Sequence, residues 1–204
     1  MKRHILKLFS TSLTIVIVLT PLFGITWTEH TIDGNFDGAR FVYAADVDGD
    51  GDMDVLGAAH DDHEITWWEN DGSGSFTKHK IDSTFYGAQS VHAADVDGDG
   101  EMDVLGAADG VNDITWWEND GNENFTEHTI DDNCDGSSVY AADVDGDGDM
   151  DVLGASFQDN DIYWYENDGN ESFTKYTIDS HFPGAQSVYA ADLDGDGDMD
   201  VLGA

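Results

Sequence analysis

Four acidic nonapeptides set on a fixed beat constrain this chain more than any other feature. DVDGDGDMD at Asp46 returns as DVDGDGEMD at Asp95, DVDGDGDMD at Asp143 and DLDGDGDMD at Asp192, with steps of 49, 48 and 49 residues between the first aspartates. Other segments keep the same step. ITWWEND at Ile65 and Ile114 becomes IYWYEND at Ile162, and FTKHKID at Phe76 becomes FTEHTID at Phe125 and FTKYTID at Phe173. WTEHTID at Trp27 matches this last segment, and the third unit is one residue short between Ile130 and Asp143.

Each unit holds four short apolar runs, at residues 42–45, 53–58, 65–69 and 76–81 in the first, and none has helical length or period. Asn70-Asp71-Gly72, repeated at Asn119 and Asn167, is a hairpin signal, because the turn needs positive φ angles that these residues tolerate. A period near 50 with four strands per unit predicts an all-β chain, a β-propeller of four-stranded antiparallel blades. A solenoid of stacked hairpins is the alternative. The pairs Trp67-Trp68, Trp116-Trp117 and Trp164-Tyr165 put large aromatics on both faces of one strand, as a blade packed between neighbours requires. Carbohydrate stacking is the other use such aromatics have.

The strand order sends the acidic loop, between strands one and two, and the Asn-Asp-Gly turn, between strands three and four, to one face. The opposite face receives the loops between strands two and three and the linkers between units. Those segments differ between copies, being HDDHE at His60, DGVND at Asp109 and FQDND at Phe157, so the sequence there is free for a partner or for drift, and any partner-specific chemistry is expected on this face.

In an extended strand, five alternate carboxylates would span more than about 25 Å, which one cation with bonds near 2.4 Å cannot gather. The chain must coil, and Gly49 and Gly51 permit it. Asp46, Asp48 and Asp50 then converge from one side, Asp52 offers its backbone carbonyl, and Asp54 closes the shell with both oxygens. The same roles fall to Asp95, Asp97, Asp99, Glu101 and Asp103, to Asp143, Asp145, Asp147, Asp149 and Asp151, and to Asp192, Asp194, Asp196, Asp198 and Asp200. Glu101 at position seven favours a backbone role there, since a side-chain ligand would be sensitive to length. A donor set of hard oxygens predicts Ca2+, about one ion per loop in four loops. Without a cation, carboxylates about 4 Å apart repel by about 4 kcal/mol per pair at an effective dielectric near 20. An EF-hand is excluded, because position 12 is Gly57, Gly106, Gly154 or Gly203 and not a bidentate Glu.

The charge balance supports this reading. Asp and Glu number 44 against 7 Lys and Arg, and five acids in each loop supply twenty of the 44. Such a surface repels nucleic acid and anionic lipid. Lys2, Arg3 and Lys7, an apolar stretch at 8–19, Pro21 and Gly24 read as an export signal over residues 1–24, or as an uncleaved anchor. Twelve apolar residues are short for a span of about 20, so no membrane span is expected in the mature chain. The repeat segment then covers 25–204, in a secreted or cell-surface setting where millimolar calcium fills weak sites. Cys134 is the only cysteine, so no intrachain disulfide staples the fold.

With these residues in view, the unit resembles an FG-GAP or VCBS repeat of the kind found in the propeller of integrin α subunits. In the second unit the matching residues are Tyr86-Gly87, Ser90-Val91, the loop from Asp95 to Asp103, and Gly106-Ala107. The proline of Gly-Ala-Pro is replaced by Ala59, Ala108 or Ser156. The resemblance implies a seven-bladed propeller, calcium in the hairpin between strands one and two, and ligand binding on the opposite face. Against seven blades the chain is expected to be an incomplete arc of about three and a half, truncated at the C-terminus, with the rest of the polypeptide needed to close the ring. The strand at 27–32 is a candidate for pairing with the last blade.

Histidines at 79 and 128 share a slot that holds Tyr176 in the next unit, and His92 stands where Tyr43, Tyr140 and Tyr189 stand, so both slots want a bulky amphipathic side chain. His60 and His63, with Asp61 and Asp62, form either a solvated loop or a weak second metal site. No nucleophilic triad or phosphate loop is apparent. Asn124 and Asn170 fit the glycosylation pattern, which matters only in a eukaryotic secretory route. The expected function is a secreted, calcium-binding recognition or adhesion module for an extracellular protein or glycan, without catalysis. The alternatives are the non-catalytic propeller portion of a larger secreted enzyme, such as a polysaccharide lyase or hydrolase, and a structural spacer.

Overall fold

The computed structural model describes residues 2–7 and 26–204, and among these every regular element is a strand. The apolar stretch at 8–19, with Pro21 and Gly24, lies outside the described residues. Strands β1 (Lys2–Lys7) and β2 (Thr26–Thr31) pair in parallel. The segment around Trp27 is therefore a strand, but its partner is the chain's own first residues and not the last blade.

Three four-stranded antiparallel sheets follow, each a meander in chain order. The first is β3 (Ala39–Ala45), β4 (Asp54–Ala59), β5 (Glu64–Asn70) and β6 (Phe76–Asp82). The second is β7 (Ala88–Ala94), β8 (Asp103–Ala108), β9 (Asp113–Asn119) and β10 (Phe125–Asp131). The third is β11 (Gly136–Ala142), β12 (Asp151–Ser156), β13 (Asp161–Asn167) and β14 (Phe173–Asp179), and a two-stranded sheet of β15 (Val188–Ala191) and β16 (Asp200–Gly203) comes last. Strand one of each sheet packs on strands one and two of its predecessor. The result is a propeller-like arc of blades, as the repeat predicted, and not a solenoid of separate hairpins.

The core lies between blades. Leu56, Ala58, Ile65 and Trp67 of the first blade pack against Phe85, Val91, Val104 and Trp117 of the second. Trp116 of the second joins Val139, Val152 and Tyr165 of the third. The paired aromatics thus divide between the two faces of their strand. Trp67, Trp68, Trp116 and Trp117 are at most 2% exposed, so they serve the core and offer no platform for a sugar. Strand two of each four-stranded sheet is buried along its whole length, whereas β16 is largely exposed. Small residues suit that position: a Cβ on Gly106 would lie 2.8 Å from Trp117 Cζ3 and 3.0 Å from Phe85 Cε1. The space is taken by an edge-to-face pair of those two rings, with centroids 5.0 Å apart. Strand four is the exposed outer edge, where Lys78 and Lys80 carry charge that discourages edge-to-edge pairing.

Strand one contributes a row of rings along the inner side of the arc. Tyr43, His92, Tyr140 and Tyr189 touch in sequence as tilted ring pairs, with centroids 4.4, 4.6 and 4.5 Å apart and interplanar angles of 53°, 43° and 48°. Burial lowers the His92 pKa to about 4, because a charged imidazole would lose its hydration there. The unfolded chain takes up that proton near pH 6.5 and the folded chain does not, so stability is present above pH 6.5 and is lost as the pH falls toward 4. The full effect is about 3 kcal/mol. His92→Tyr restores the residue of the other three blades. Its stability at pH 7.5 should stay within about 1 kcal/mol of the parent's, and thermal melts should show its advantage growing steadily from pH 7 to pH 5.

Candidate metal centre

Each acidic nonapeptide joins strand one to strand two of its sheet and coils as the glycine spacing requires. Positions four and six have φ of +73° and +95° at Gly49 and Gly51, and the other three loops repeat these values closely. Three hydrogen bonds hold the coil. The position-one carboxylate accepts from the position-six N–H (Gly51 to Asp46 Oδ2, 3.0 Å). Position three accepts from position five (Asp50 to Asp48 Oδ1, 3.1 Å), and position five accepts from position seven (Asp52 to Asp50 Oδ1, 2.8 Å). The loops at Asp95, Asp143 and Asp192 repeat all three.

In the first two loops these turns occupy one oxygen at positions one, three and five, whereas in the last two both oxygens of Asp143 and Asp192 accept backbone N–H groups. Asp46, Asp48 and Asp50 present ligand oxygens within 4.8 Å of one another, as do Asp95, Asp97 and Asp99. In the later loops the trios are Asp143, Asp145 and Asp151, and Asp192, Asp194 and Asp200. Two oxygens on opposite sides of one cation with bonds near 2.4 Å stand about that far apart. Asp46 Oδ1 and Asp95 Oδ1 are buried without a hydrogen-bond partner, which a coordinated cation would satisfy. Burial, reinforced by the adjoining carboxylates, pushes the Asp48 and Asp97 carboxyls above their ordinary range. The acidic clusters could therefore hold metal ions.

Positions seven and nine stand apart from the convergent trio in the first two loops. Asp52 turns its side chain onto the hairpin turn of its own blade, where a Cβ on Gly72 would meet Asp52 Oδ2 at 2.2 Å. Asp149 does the same at Gly169, and Glu101 lies along Gly121. An acid of either length fits that position. Asp198 donates its N–H to Asp196.

Position nine is the most deeply seated acid. Asp54, Asp103 and Asp151 are fully buried. Asp103 Oδ2 accepts from Val96 N–H at 2.9 Å and Oδ1 from Asn119 N–H at 2.8 Å, and Asp54 and Asp151 repeat the arrangement. Both oxygens thus already serve the backbone, leaving one lone pair each for a cation. Burial drives the Asp103 pKa up to about 7, against the two N–H groups that favour its charged form.

Sequence reasoning missed the hairpin asparagine. Asn119 closes the clamp on Asp103 with its backbone, and its side-chain Nδ2 donates to Met102 O (3.1 Å) and to Val47 O in the preceding blade's acidic loop (3.0 Å). Asn167 bridges in the same way to Met150 O and Val96 O. The available signal was the constant step of 16 residues from position nine to the asparagine.

The histidines sort as their slots suggested. His79 and His128 stack on Trp67 and Trp116, and each engages a glutamate at 2.8 Å, Glu69 or Glu118. Tyr176 stacks on Trp164 in the third blade. Glu171 also reaches the Glu118 and His128 pair. His60 engages Asp61 while His63 accepts from Gly87 N–H and packs on Tyr86, and among the described residues the two share no ligand group.

The FG-GAP-like repeat pattern matches residues 46–106, 95–154 and 143–203, each match running from one acidic loop through the next. The chain belongs to the FG-GAP-like repeat family. No curated protein matches it in sequence. Among solved structures, an Agrocybe aegerita lectin that recognises non-reducing terminal N-acetylglucosamine superimposes with a TM-score of 0.60 at 21% identity over 91% of this chain. The chain spans 54% of that lectin's length. The Vibrio cholerae biofilm matrix protein Bap1 aligns with a TM-score of 0.44 at 21% identity, over 83% of this chain and 28% of its own.

The face opposite the acidic loops carries a cleft of about 740 Å³. The start of strand one places Arg40, Gln89 and Ser137 there in the three blades, and Gln186, just before β15, takes the corresponding place in the last sheet. Asp109, Phe157 and Gln158 from the loops between strands two and three complete its rim, with Asp135 from a linker. These loops are where the units differ. No helix among the described residues is long and apolar enough to cross a membrane.

Proposed function

We propose that this FG-GAP-like repeat chain is a secreted or surface-exposed calcium-binding module for recognition or adhesion, acting on protein or glycan partners without catalysing a reaction. The observation that carries the calcium assignment is the pair of buried, unpartnered oxygens, Asp46 Oδ1 and Asp95 Oδ1, in trios of carboxylates spaced for one ion. Hard oxygen donors on a flexible coil favour Ca2+ over the softer transition metals. Positions one, three and five hold the ion in the first two loops, with position nine closing the shell and position seven acting through its carbonyl. The recognition reading is supported by the division of faces. One face is the same in every blade and the other carries a cleft lined by residues that vary. A lectin of similar fold binds a sugar.

Calorimetric titration of the full chain with calcium tests the metal assignment. About four ions should bind at submillimolar to millimolar concentration. Asp95→Ala should lose one equivalent and leave the other loops intact. Absence of both heat and thermal shift at millimolar calcium would refute it.

A further inference from the structure

The cleft on the variable face ends on an acid with incomplete pairing. Asp135, in the linker before β11, is 7% exposed, and its Oδ1 has no hydrogen-bond partner. It lines both the main cleft and an adjoining one of about 230 Å³. Asp109 borders the first and Asp159 the second. Burial raises the Asp135 carboxyl above its ordinary range, and Asp109 and Asp159 add to this while Gln158 opposes it. Arg40 is the only Lys or Arg lining either cleft among the described residues. A carboxylate withdrawn from water without a counter-charge costs free energy, which a ligand bringing a positive N–H donor would relieve.

We propose that this cleft binds an amino sugar through its free ammonium group, with Asp135 as counter-charge, so that the glycan recognised contains glucosamine. The inference rests on the recognition reading above and names its ligand. The rest of the wall selects a sugar over a lysine side chain. Gln186 and Gln158 offer neutral amide groups that match ring hydroxyls, although Gln158 also engages Asp135. Ser137 Oγ, whose hydrogen is committed to the carbonyls of Ala155 and Ala185, can only accept. Phe41 and Phe157 also line the cleft, are 43% and 49% exposed, and give a pyranose ring apolar surface to pack on. A lysine stem has no hydroxyls to engage the amides. Gln89 Nε2 holds Asp109 at 2.6 Å, which keeps a second carboxylate beside the site.

The test is calorimetric titration of the calcium-loaded full chain with three probes: a fully deacetylated glucosamine tetramer, its N-acetylated counterpart, and tetralysine. The glucosamine tetramer should bind at least tenfold more tightly than either of the others. Asp135→Asn should reduce that affinity at least tenfold while melting at the same or a higher temperature, since it removes a buried charge. Asp159→Asn, on the exposed rim, is the second variant and should weaken binding severalfold if the first fails to fold. Equal or tighter binding of the acetylated tetramer would overturn the ammonium pairing and leave the recognition face standing. Equal binding of tetralysine would reduce the effect to general attraction by an acidic chain and overturn the amino-sugar assignment. Unchanged affinity in the folded variants would overturn the role of Asp135, and failure of all three probes to bind would overturn the cleft as a glycan site.

Discussion

Withdrawing calcium is expected to lower the melting temperature by about 10–20 °C. At ten times its Kd an ion that binds only the folded loop contributes about 1.4 kcal/mol, so four loops contribute about 5–6 kcal/mol. One kcal/mol moves the midpoint of a domain this size by about 2–4 °C. The coiled loops without a cation leave Asp46 Oδ1 and Asp95 Oδ1 without a partner. The pH dependence should differ between the two states. Asp103 has its pKa raised to about 7 in the ion-free fold, so the folded chain holds a proton that the unfolded chain releases near pH 4. Stability of the ion-free chain is then highest at low pH as far as this group is concerned, and it falls as the pH rises through 7. Between pH 6.5 and 8 the loss is about 1 kcal/mol. Bound calcium keeps the carboxylates charged and should abolish that slope. Scanning calorimetry in chelator and in millimolar calcium across this window checks both statements, and a falling melting temperature in both conditions would contradict the second.

Asp103→Ala should cost about 4–6 kcal/mol in millimolar calcium, whereas Asp200→Ala should cost about 2–3. Asp103 is fully buried and accepts from Val96 N–H and Asn119 N–H. Removing it strands two buried donors at about 1–3 kcal/mol each and weakens one ion site. Asp200 is exposed and accepts from Leu193 N–H, so one donor and one ion site are lost where water can compensate. Denaturant midpoints of the two variants measure the gap. Equal costs would mean that position nine acts through the ion alone.

Much of the fold was legible because the unit repeats. Four apolar runs per unit, the Asn-Asp-Gly turn and aromatics in pairs all pointed to one blade, and the structure returns that blade three times over with Trp116 and Trp117 facing opposite neighbours. Coiling at Gly49 and Gly51 was equally readable, since no extended chain gathers those acids. The double duty of Asp103 was not readable, because a carboxylate that accepts N–H groups and one that binds a cation are the same residue in sequence. Nor was the tie from Asn119 to Val47, which spans 72 positions and leaves no local mark. The strand at Thr26–Thr31 was recognised from its likeness to strand four, yet likeness to an element does not name its partner, and it pairs with Lys2–Lys7. Asp135 sits in the shortened linker of the third unit, where comparison between copies loses its register.

The asparagine bridges bear on how such a chain can change in length. Asn119 reaches back to the loop of the first blade and Asn167 to that of the second, so every tie runs between immediate neighbours. Adding or deleting a whole unit leaves each surviving tie with a partner of the same kind, whereas a part of a unit would leave an asparagine with only the carbonyl of its own blade. Changes of length are therefore expected to preserve these ties only in steps of one full repeat.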